Sequence, residues 1–264
     1  MKTDISKVIR PFLVIGGFTF LILTIGFFFQ LTWAITLWPW KDGRLSYIFI
    51  SSITAAIAVP NIWIGLSREY GSAKGGAINL GAMAFGTSLY LLLLYSQNRE
   101  TRILVTAIFF ALFFLLASAI FIWSKNIPIR DTRSMPGLVR VSFLVFSIIL
   151  ILTGILLVLQ RPVVFPWPLK PESSVIFGFV FLGAAIYFIT AFFDPSWHNA
   201  RGHLLGFLAY DLVLIGPYLA HFSSVQETHR LSLIIYVSVI LYSGVLAVYY
   251  LFINKHTRAW KIQL

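Results

Sequence analysis

Residues 103–123 read ILVTAIFFALFFLLASAIFIW and contain no charged side chain. A helix needs about 20 mostly apolar residues to cross the hydrocarbon core of a bilayer, which is roughly 30 Å thick. This run of 21 residues is therefore long enough to span a membrane. Seven similar runs accompany it, and the predicted spans are 11–33, 45–66, 75–96, 102–124, 138–160, 174–193, 203–222 and 231–253.

The composition of the whole chain leads to the same class of protein. Of its 264 residues, 59% are hydrophobic and 11% are charged, whereas soluble domains carry about 25% charged residues. A single core cannot bury such an excess, which excludes a soluble enzyme, a disordered chain and a secreted disulfide scaffold. We predict an all-α polytopic membrane protein with eight transmembrane helices.

The chain has no cysteine, and this limits the cofactors that it can hold. Disulfides, thiolate metal sites, iron–sulfur clusters and covalently attached c-type haem all require cysteine. Haem b requires two histidines on facing helices, and the seventh span alone offers histidines at membrane level. A single-histidine pigment ligand at His203 or His221 stays open, and no metal site is expected.

The basic residues predict how the chain is oriented, because cytoplasmic loops carry an excess of lysine and arginine. The side that holds both termini has thirteen: Lys2, Lys7, Arg10, Arg68, Lys74, Lys125, Arg130, Arg133, Arg140, Arg201, Lys255, Arg258 and Lys261. The opposite side has seven: Lys41, Arg44, Arg99, Arg102, Arg161, Lys170 and Arg230. We therefore expect both termini in the cytoplasm of a bacterial or archaeal cell, with the chain in its plasma membrane.

The net charge of +11 is then a consequence of topology. Anionic lipid headgroups are the expected partners of the basic loops, together with other membrane subunits. Nucleic acid is not expected, because no soluble basic surface is predicted. The first run is itself a span rather than a cleaved signal peptide, since it is too long and Phe27-Phe28-Phe29-Gln30 replaces a small-residue cleavage site.

All eight tryptophans lie near predicted span ends. Amphipathic indole rings are enriched at headgroup depth, where they anchor helices. We predict such interface anchors at Trp38, Trp40, Trp167 and Trp197, and expect the same of Trp33, Trp63, Trp123 and Trp260. For the tryptophans of the outer loops, stacking on a sugar or another ligand stays open.

Three short motifs occur twice at one separation of 127 positions. The pairs are Pro39-Trp40 with Pro166-Trp167, Ala73-Lys74-Gly75 with Ala200-Arg201-Gly202, and Glu100-Thr101 with Glu227-Thr228. We predict two tandem four-span repeats, 1–124 and 138–264, joined by a cytoplasmic linker, 125–137. Because four is even, the repeats enter the membrane in the same orientation and are parallel, related by a pseudo-two-fold axis along the membrane normal.

Small residues at four-residue spacing mark the third and seventh spans, which begin near Ala77 and Gly202. Such spacing lets helix backbones approach closely in lipid. We expect these two spans at the centre of the protein, packed against one another or against their neighbours.

Asp211 is the one acidic residue predicted near the middle of a span. Intramembrane carboxylates are costly and mark functional sites by default. His203, Tyr210 and His221 are spaced by 7 and 11 residues and share one helix face. Asp211 lies beside this stripe, and Tyr218 lies two turns beyond Asp211. The stripe is a candidate binding site or proton path, and a structural clasp formed by a hydrogen-bonded Asp211 is the alternative.

The first half has no counterpart of Asp211, because position 84 is alanine. Its unusual polar residues are Asn61 and Asn79, with Pro60 next to the former. Proline within a helix frees a backbone carbonyl, so these asparagines are candidates for binding an ion or substrate. Interhelical hydrogen bonding is the alternative.

Three classes of function remain. The first is an accessory, scaffold or lipid-binding subunit of a larger membrane assembly, which short loops and apolar spans favour. The second is a proton-coupled transporter of a small solute that uses Asp211. The third is a membrane enzyme acting on lipid, for which no catalytic residue is predicted because no known catalytic motif occurs.

Overall fold

In the computed structural model, residues 2–258 are described, with side chains from residue 7 onward. Trp260 and Lys261, and the side chain of Lys2, lie outside the described residues. Within the described residues, eight helices are long and apolar enough to cross a membrane. They are α1 (Lys2–Phe28), α2 (Arg44–Ser67), α3 (Ala73–Asn98), α4 (Thr101–Ser124), α5 (Gly137–Val158), α6 (Pro171–Phe193), α7 (Trp197–His221) and α8 (Glu227–Val248). The predicted all-α polytopic fold is confirmed.

Shorter elements complete the described chain. A one-turn helix covers Thr32–Ile35, a 3-10 turn covers Tyr70–Ser72, and a π-helical turn, Tyr249–Ile253, continues α8. The described residues contain no β-strand, apart from one isolated bridge between Ser134 and Ser196.

Several predicted span ends differ from the structure, most of all the start of the first helix, at Lys2 rather than 11, and two of the differences have a clear physical cause. The first helix ends at Phe28 rather than 33 because Gln30 takes the left-handed conformation, with a φ of 53°, and turns the chain back. The seventh helix begins at Trp197 rather than 203. Its first turns carry polar residues such as Arg201, which hydropathy assigns to a loop but which the fold buries.

The helices pack as four antiparallel hairpins, α1–α2, α3–α4, α5–α6 and α7–α8. Contacts between the two halves run through α2 with α7 and α3 with α6. In the predicted duplication α6 is the counterpart of α2, and α7 is the counterpart of α3. The two inter-half helix pairs are therefore counterparts of each other. The third and seventh helices therefore lie at the centre, but each packs against a helix of the opposite half rather than against its counterpart.

Glycines make the two inter-half crossings close. On α3, Gly86 has no room for a Cβ because the ring of Phe179 on α6 occupies that space. On α7, Gly206 lies against the carbonyl of Ala56 on α2. Pro60 lacks the N–H that would bond this carbonyl within the helix. Gly206, which has no side chain, packs against the unbonded carbonyl of Ala56.

Hydrogen bonds between the halves also recur at a separation of 127. Trp40 Nε1 donates to Ser173 Oγ at 2.6 Å, and Trp167 Nε1 donates to Ser46 Oγ at 3.1 Å. Each bond joins one half to the other, and each residue of the first bond lies 127 positions from its counterpart in the second. The duplication stays a prediction, which these reciprocal contacts support.

A second pair of hydrogen bonds at the same separation lies within the halves. Arg102 Nη2 donates to the carbonyl of Trp38 at 2.6 Å, and His229 Nδ1 hydrogen-bonds the carbonyl of Phe165 at 2.8 Å. In both halves the start of the last helix thus holds the loop that follows the first helix. These loops contain the repeated Pro-Trp motif, so we call this side of the protein the Pro-Trp face (29–43, 99–100, 159–170 and 222–226).

The opposite side, here the linker face, comprises residues 68–72, 125–136, 194–196 and 254–258. The linker is folded against the second half, since Met135 N donates to the carbonyl of Pro195 at 2.9 Å and Trp197 N donates to the carbonyl of Arg133 at 2.8 Å. It also reaches the first half, where the carbonyl of Ile127 lies against Gly71. That this face is cytoplasmic stays a prediction.

Candidate functional site

A cavity of about 690 Å³ lies within the second half, between the α5–α6 and α7–α8 hairpins. Residues of α2 and α3 close it from the side of the first half. Its volume falls within the range of roughly 300–1,000 Å³ that is typical of small-molecule sites. Most of its lining is aliphatic or aromatic, so the space suits an apolar occupant.

The cavity opens sideways, between α5 and α8. These helices are joined by a hydrogen bond at 2.7 Å between Ser142 Oγ and Tyr242 OH, near the linker face. At the Pro-Trp face, Ser232 Oγ donates to the carbonyl of Val163 at 2.5 Å and ties α8 to the loop after α5. Between these ties the lining includes side chains that are exposed by 37%, 42% and 54%, namely Ile149, Leu156 and Ile235. We call this opening the lateral window.

The corresponding space in the first half holds packed phenylalanines. Phe113 of α4 contacts Phe20 of α1 with ring centroids 6.2 Å apart, and it stacks on Phe109. The residue 127 positions after Phe113 is Ile240, which lines the cavity. At the level of Ile240, aromatic bulk of this kind is missing between α5 and α8, which meet through Phe146 and Tyr242 closer to the linker face.

Asp211 lies in the wall of the cavity and is 5% exposed. Its Oδ2 accepts a hydrogen bond from Ser243 Oγ at 2.8 Å, and its Oδ1 is buried with no partner among the described residues. Asp211 also borders an open apolar groove of about 390 Å³ on the outer surface between α7 and α8, where most of the lining side chains are exposed. Asp211 and Ile240 therefore lie between the cavity and the outer groove.

The other residues of the predicted stripe do not form a chain of hydrogen bonds with Asp211. Tyr210 OH pairs with Tyr236 OH at 2.8 Å, and Tyr218 OH is buried without a partner in the described part of the chain. The stripe brings Tyr210 to the cavity, but hydrogen bonds among the described residues do not link it to His203 or His221. The described side chains alone do not form a continuous hydrogen-bonded line along α7, and the proton path stays a prediction.

Both histidines of the stripe are held by the protein through their two ring nitrogens. The ring nitrogens of His203 lie 2.7 Å from the carbonyl of Asn199 and 3.0 Å from that of Tyr187, and the N–H of a neutral imidazole donates to one of them. His221 bonds Ser224 Oγ and the carbonyl of Pro166, each at 3.0 Å. A pigment metal would have to displace one of these bonds. The two residues serve to fix α7 against α6 and against the Pro-Trp loop.

The two asparagines of the first half are separated. Asn79 lines the cavity and lies against Gly183 of α6. Asn61 of α2 does not line the cavity and makes no hydrogen bond with Asn79 among the described residues. Of the pair, Asn79 alone contributes a polar group to the cavity.

The predicted tryptophan anchors are packed inside the protein. Trp38, Trp167 and Trp197 are buried, and Trp38 stacks on Phe177. Trp40 is half-buried and bonds Ser173. The loops fold inward and direct these rings into the protein, where they pack against neighbouring helices. That they anchor the helices at the membrane surface stays a prediction.

A group of buried charges at the linker face was not predicted. Arg201 is 1% exposed; its guanidinium lies 3.3 Å from Asp131 Oδ2 and 4.6 Å above the ring of Trp63. Asp131 also pairs with Arg133 at 2.7 Å. The sequence did carry one signal, because Arg201 belongs to a motif that recurs in both halves.

Its counterpart in the first half, Lys74, pairs with Asp194 across the two halves at 2.6 Å. Burial raises the pKa of Asp194, but the hydrogen bond and charge of Lys74 outweigh burial and leave that pKa below its ordinary value. The pKa of Glu69, on the same face, is raised because burial outweighs the nearby positive charges. These ion pairs join the halves and the linker.

Within residues 2–258, no group of three or more histidine and acidic side chains is placed to hold a metal ion. The cavity with Asp211 in its wall is therefore the best-formed candidate site of the described chain. Comparison with protein-family models, with curated proteins and with solved structures finds no match to this chain.

Proposed function

We propose that the protein binds a lipid or a similar apolar membrane molecule in this cavity, as a lipid-binding subunit of a larger membrane assembly. The observation that carries the proposal is the cavity of about 690 Å³ with its lateral window between α5 and α8. A molecule dissolved in the bilayer can enter through such a window without passing through water.

The driving force is packing rather than the hydrophobic effect, because a lipid chain is already in an apolar medium before it binds. An empty apolar cavity deprives its lining atoms of dispersion contacts. A chain that fills the cavity restores these contacts, and the apolar lining accepts it without an unpaired polar group.

Filling the cavity with a side chain tests this proposal. Thr153 lines the cavity from α5, while its neighbour Leu152 is 59% exposed on the outer surface of the same helix. Purification in mild detergent followed by native mass spectrometry should show bound lipid in the parent protein and in Leu152→Phe, and several-fold less in Thr153→Phe. Ala184→Phe fills the cavity from α6 and should act in the same way.

Equal lipid retention in all four proteins would contradict the lipid-binding proposal. The same purification tests the assembly: partner proteins should remain bound in mild detergent at stoichiometric amounts. If the protein purifies as a solitary monomer that still carries lipid, the cavity remains a lipid-binding site but the proposed larger assembly is rejected.

A second candidate function is proton-coupled transport, which the position of Asp211 favours. Its carboxyl group is buried, has a hydrogen-bond partner at one oxygen only, and lies between the cavity and an outer groove. A change in its protonation would alter the polarity of the cavity wall and of the groove. The parent protein in liposomes should conduct protons when a potassium diffusion potential is imposed, and Asp211→Asn should not. Equal proton flux in Asp211→Asn would remove this candidate.

A further inference from the structure

We propose that the occupant of the cavity is an anionic lipid whose headgroup pairs with Arg161 at the Pro-Trp face and whose chain enters through the lateral window. This inference rests on the proposed lipid-binding function and adds the chemical class of the ligand. It concerns the end of the cavity that is farthest from the linker.

The position of Arg161 is fixed by the turn that ends α5. Arg161 N donates to the carbonyl of Leu156 at 2.9 Å, and Gln160 takes the left-handed conformation that turns the chain back, with a φ of 53°. Arg161 thereby lies just beyond the last turn of a membrane-spanning helix. In a bilayer this is the depth of the lipid headgroups.

The guanidinium of Arg161 is available to a ligand. The side chain is exposed and lines the cavity, and none of the ion pairs in the described part of the chain involves it. Arginine binds phosphate through two parallel hydrogen bonds. Basic side chains at the ends of clefts between transmembrane helices select anionic headgroups.

The charges along the cavity give the ligand its direction. Asp211, the one acidic side chain among the described cavity residues, lies ten residues into α7 from His221, which ends that helix at the Pro-Trp face. Ten residues of helix correspond to about 15 Å. The rim of the cavity, by which we mean its end at the Pro-Trp face, thus carries the positive charge of Arg161, whereas Asp211 lies deep. An anionic headgroup is therefore stabilised at the rim alone.

The space below the rim suits an apolar chain that runs parallel to the membrane normal. On α5 the lining extends from Leu156 near the rim to Phe146, a rise of about 15 Å. Most of the intervening lining is aliphatic, and the polar side chain of Asn79 is reached from the part of the cavity that lies away from the rim. A chain anchored at Arg161 keeps the depth that it has in the surrounding bilayer.

Photo-crosslinking in nanodiscs tests the inference. The nanodiscs consist of phosphatidylcholine and a small fraction of a probe lipid that carries a diazirine at the end of one chain. The probe is phosphatidylglycerol in one preparation and phosphatidylcholine, the zwitterionic probe, in the other. In the parent protein, phosphatidylglycerol should label the cavity segments of α5, α7 and α8 about fivefold more than the zwitterionic probe, as expected for one basic residue at the membrane surface.

Arg161→Gln should lower the phosphatidylglycerol labelling to the level of phosphatidylcholine, and Arg161→Lys should retain part of the preference. The matched control is Arg99→Gln, an exposed arginine at the same face of the first half, which should leave the preference unchanged. A preference that survives Arg161→Gln would overturn the inference, as would equal labelling by the two probes in the parent protein.

The proposed function fails in a different way. If both probes label the cavity equally in the parent protein and Thr153→Phe abolishes this labelling, lipid binding stands and the headgroup preference is wrong. If Thr153→Phe leaves the labelling of the cavity segments unchanged for both probes, the lipid does not occupy the cavity, and both proposals fall.

Discussion

The indole of Trp40 donates a hydrogen bond to the hydroxyl of Ser173 at 2.6 Å, across the boundary between the two halves of the protein. Ser173 in turn donates to Asp42 Oδ2, so the Pro-Trp loop of the first half is joined twice to the start of α6. The reciprocal bond from Trp167 to Ser46 closes the same boundary from the other side. The halves are thus held together at the Pro-Trp face by side chains of the repeated motif.

Replacing either indole should weaken this boundary. Trp40→Phe and Trp167→Phe each keep an aromatic ring but lose the donor, and we expect each to lower the free energy of unfolding by about 0.5–1.5 kcal/mol. Chemical denaturation in detergent, followed by circular dichroism, measures the loss. Trp33→Phe is the control because Trp33 is 46% exposed; an equal loss in Trp33→Phe would show that the hydrogen bonds contribute nothing.

Ser243→Ala should destabilise the protein because it leaves both oxygens of Asp211 without a donor among the described residues. We expect a loss of about 1–3 kcal/mol, the cost of an unsatisfied buried polar group. Ser238→Ala on the same helix is a matched control, since Ser238 is exposed and bonds only the carbonyl of Ile234. Equal stabilities of the two variants would mean that Ser243 does not support Asp211.

The ion pair of Asp131 should make the linker face sensitive to acid. Burial raises the pKa of Asp131, but the hydrogen bonds and charge of Arg133 and the charge of Arg201 outweigh burial, so that its pKa lies below the ordinary value of 3.8. Its stabilising contribution is therefore present above about pH 3.8 and is lost as the pH falls through the lowered pKa.

Asp131→Asn should cost about 1–3 kcal/mol at neutral pH, as expected for hydrogen bonds to charged groups, and nothing at a pH below the pKa of the folded state. Melting temperatures of the two proteins between pH 3 and pH 7 measure this difference. A constant difference across the whole range would contradict the assignment.

Glu69 should act in the opposite direction. Burial, only partly offset by a backbone hydrogen bond at Arg130 and by the charge of Arg201, raises its pKa above the ordinary value of 4.5. The folded protein binds the proton more tightly than the unfolded chain, so this contribution is complete below pH 4.5 and is lost as the pH rises through the raised pKa.

Glu69→Gln should therefore melt at a higher temperature than the parent protein at pH 7, by a few degrees, and at a similar temperature at pH 4. Gln keeps the carbonyl oxygen that can accept the backbone hydrogen bond, so the comparison isolates the charge. A lower melting temperature of Glu69→Gln at pH 7 would show that the ionised carboxylate stabilises the linker face.

The number, order and approximate limits of the helices could be predicted from the sequence because an uncharged run such as 103–123 has one stable arrangement in lipid. The end of α1 could not, since it depends on the backbone conformation of Gln30. The start of α7 could not either, because Arg201 is buried only when the distant Asp131 folds over it. Hydropathy measures one segment at a time and does not include such partners.

The candidate site was predicted in part. Asp211 was identified because a carboxylate within an apolar span is conspicuous, and Tyr210 because it shares the same face. The cavity itself could not be predicted, since it depends on how Ile240 and its neighbours pack across two hairpins. The direction of the tryptophan rings was missed for a related reason: a sequence pattern gives the depth of Trp38 in the membrane but not the side to which its ring points.

The pair Phe113 and Ile240 has a consequence for how such a protein diverges. For a chain built from two like halves, the contacts that join the halves keep the scaffold in place while one half loses bulk at a few positions. The first half, in which Phe113 packs against Phe20, can then support the second half, which contains the cavity. The shape of the cavity can therefore change through side chains around Ile240 alone, while the contacts between the halves stay as they are.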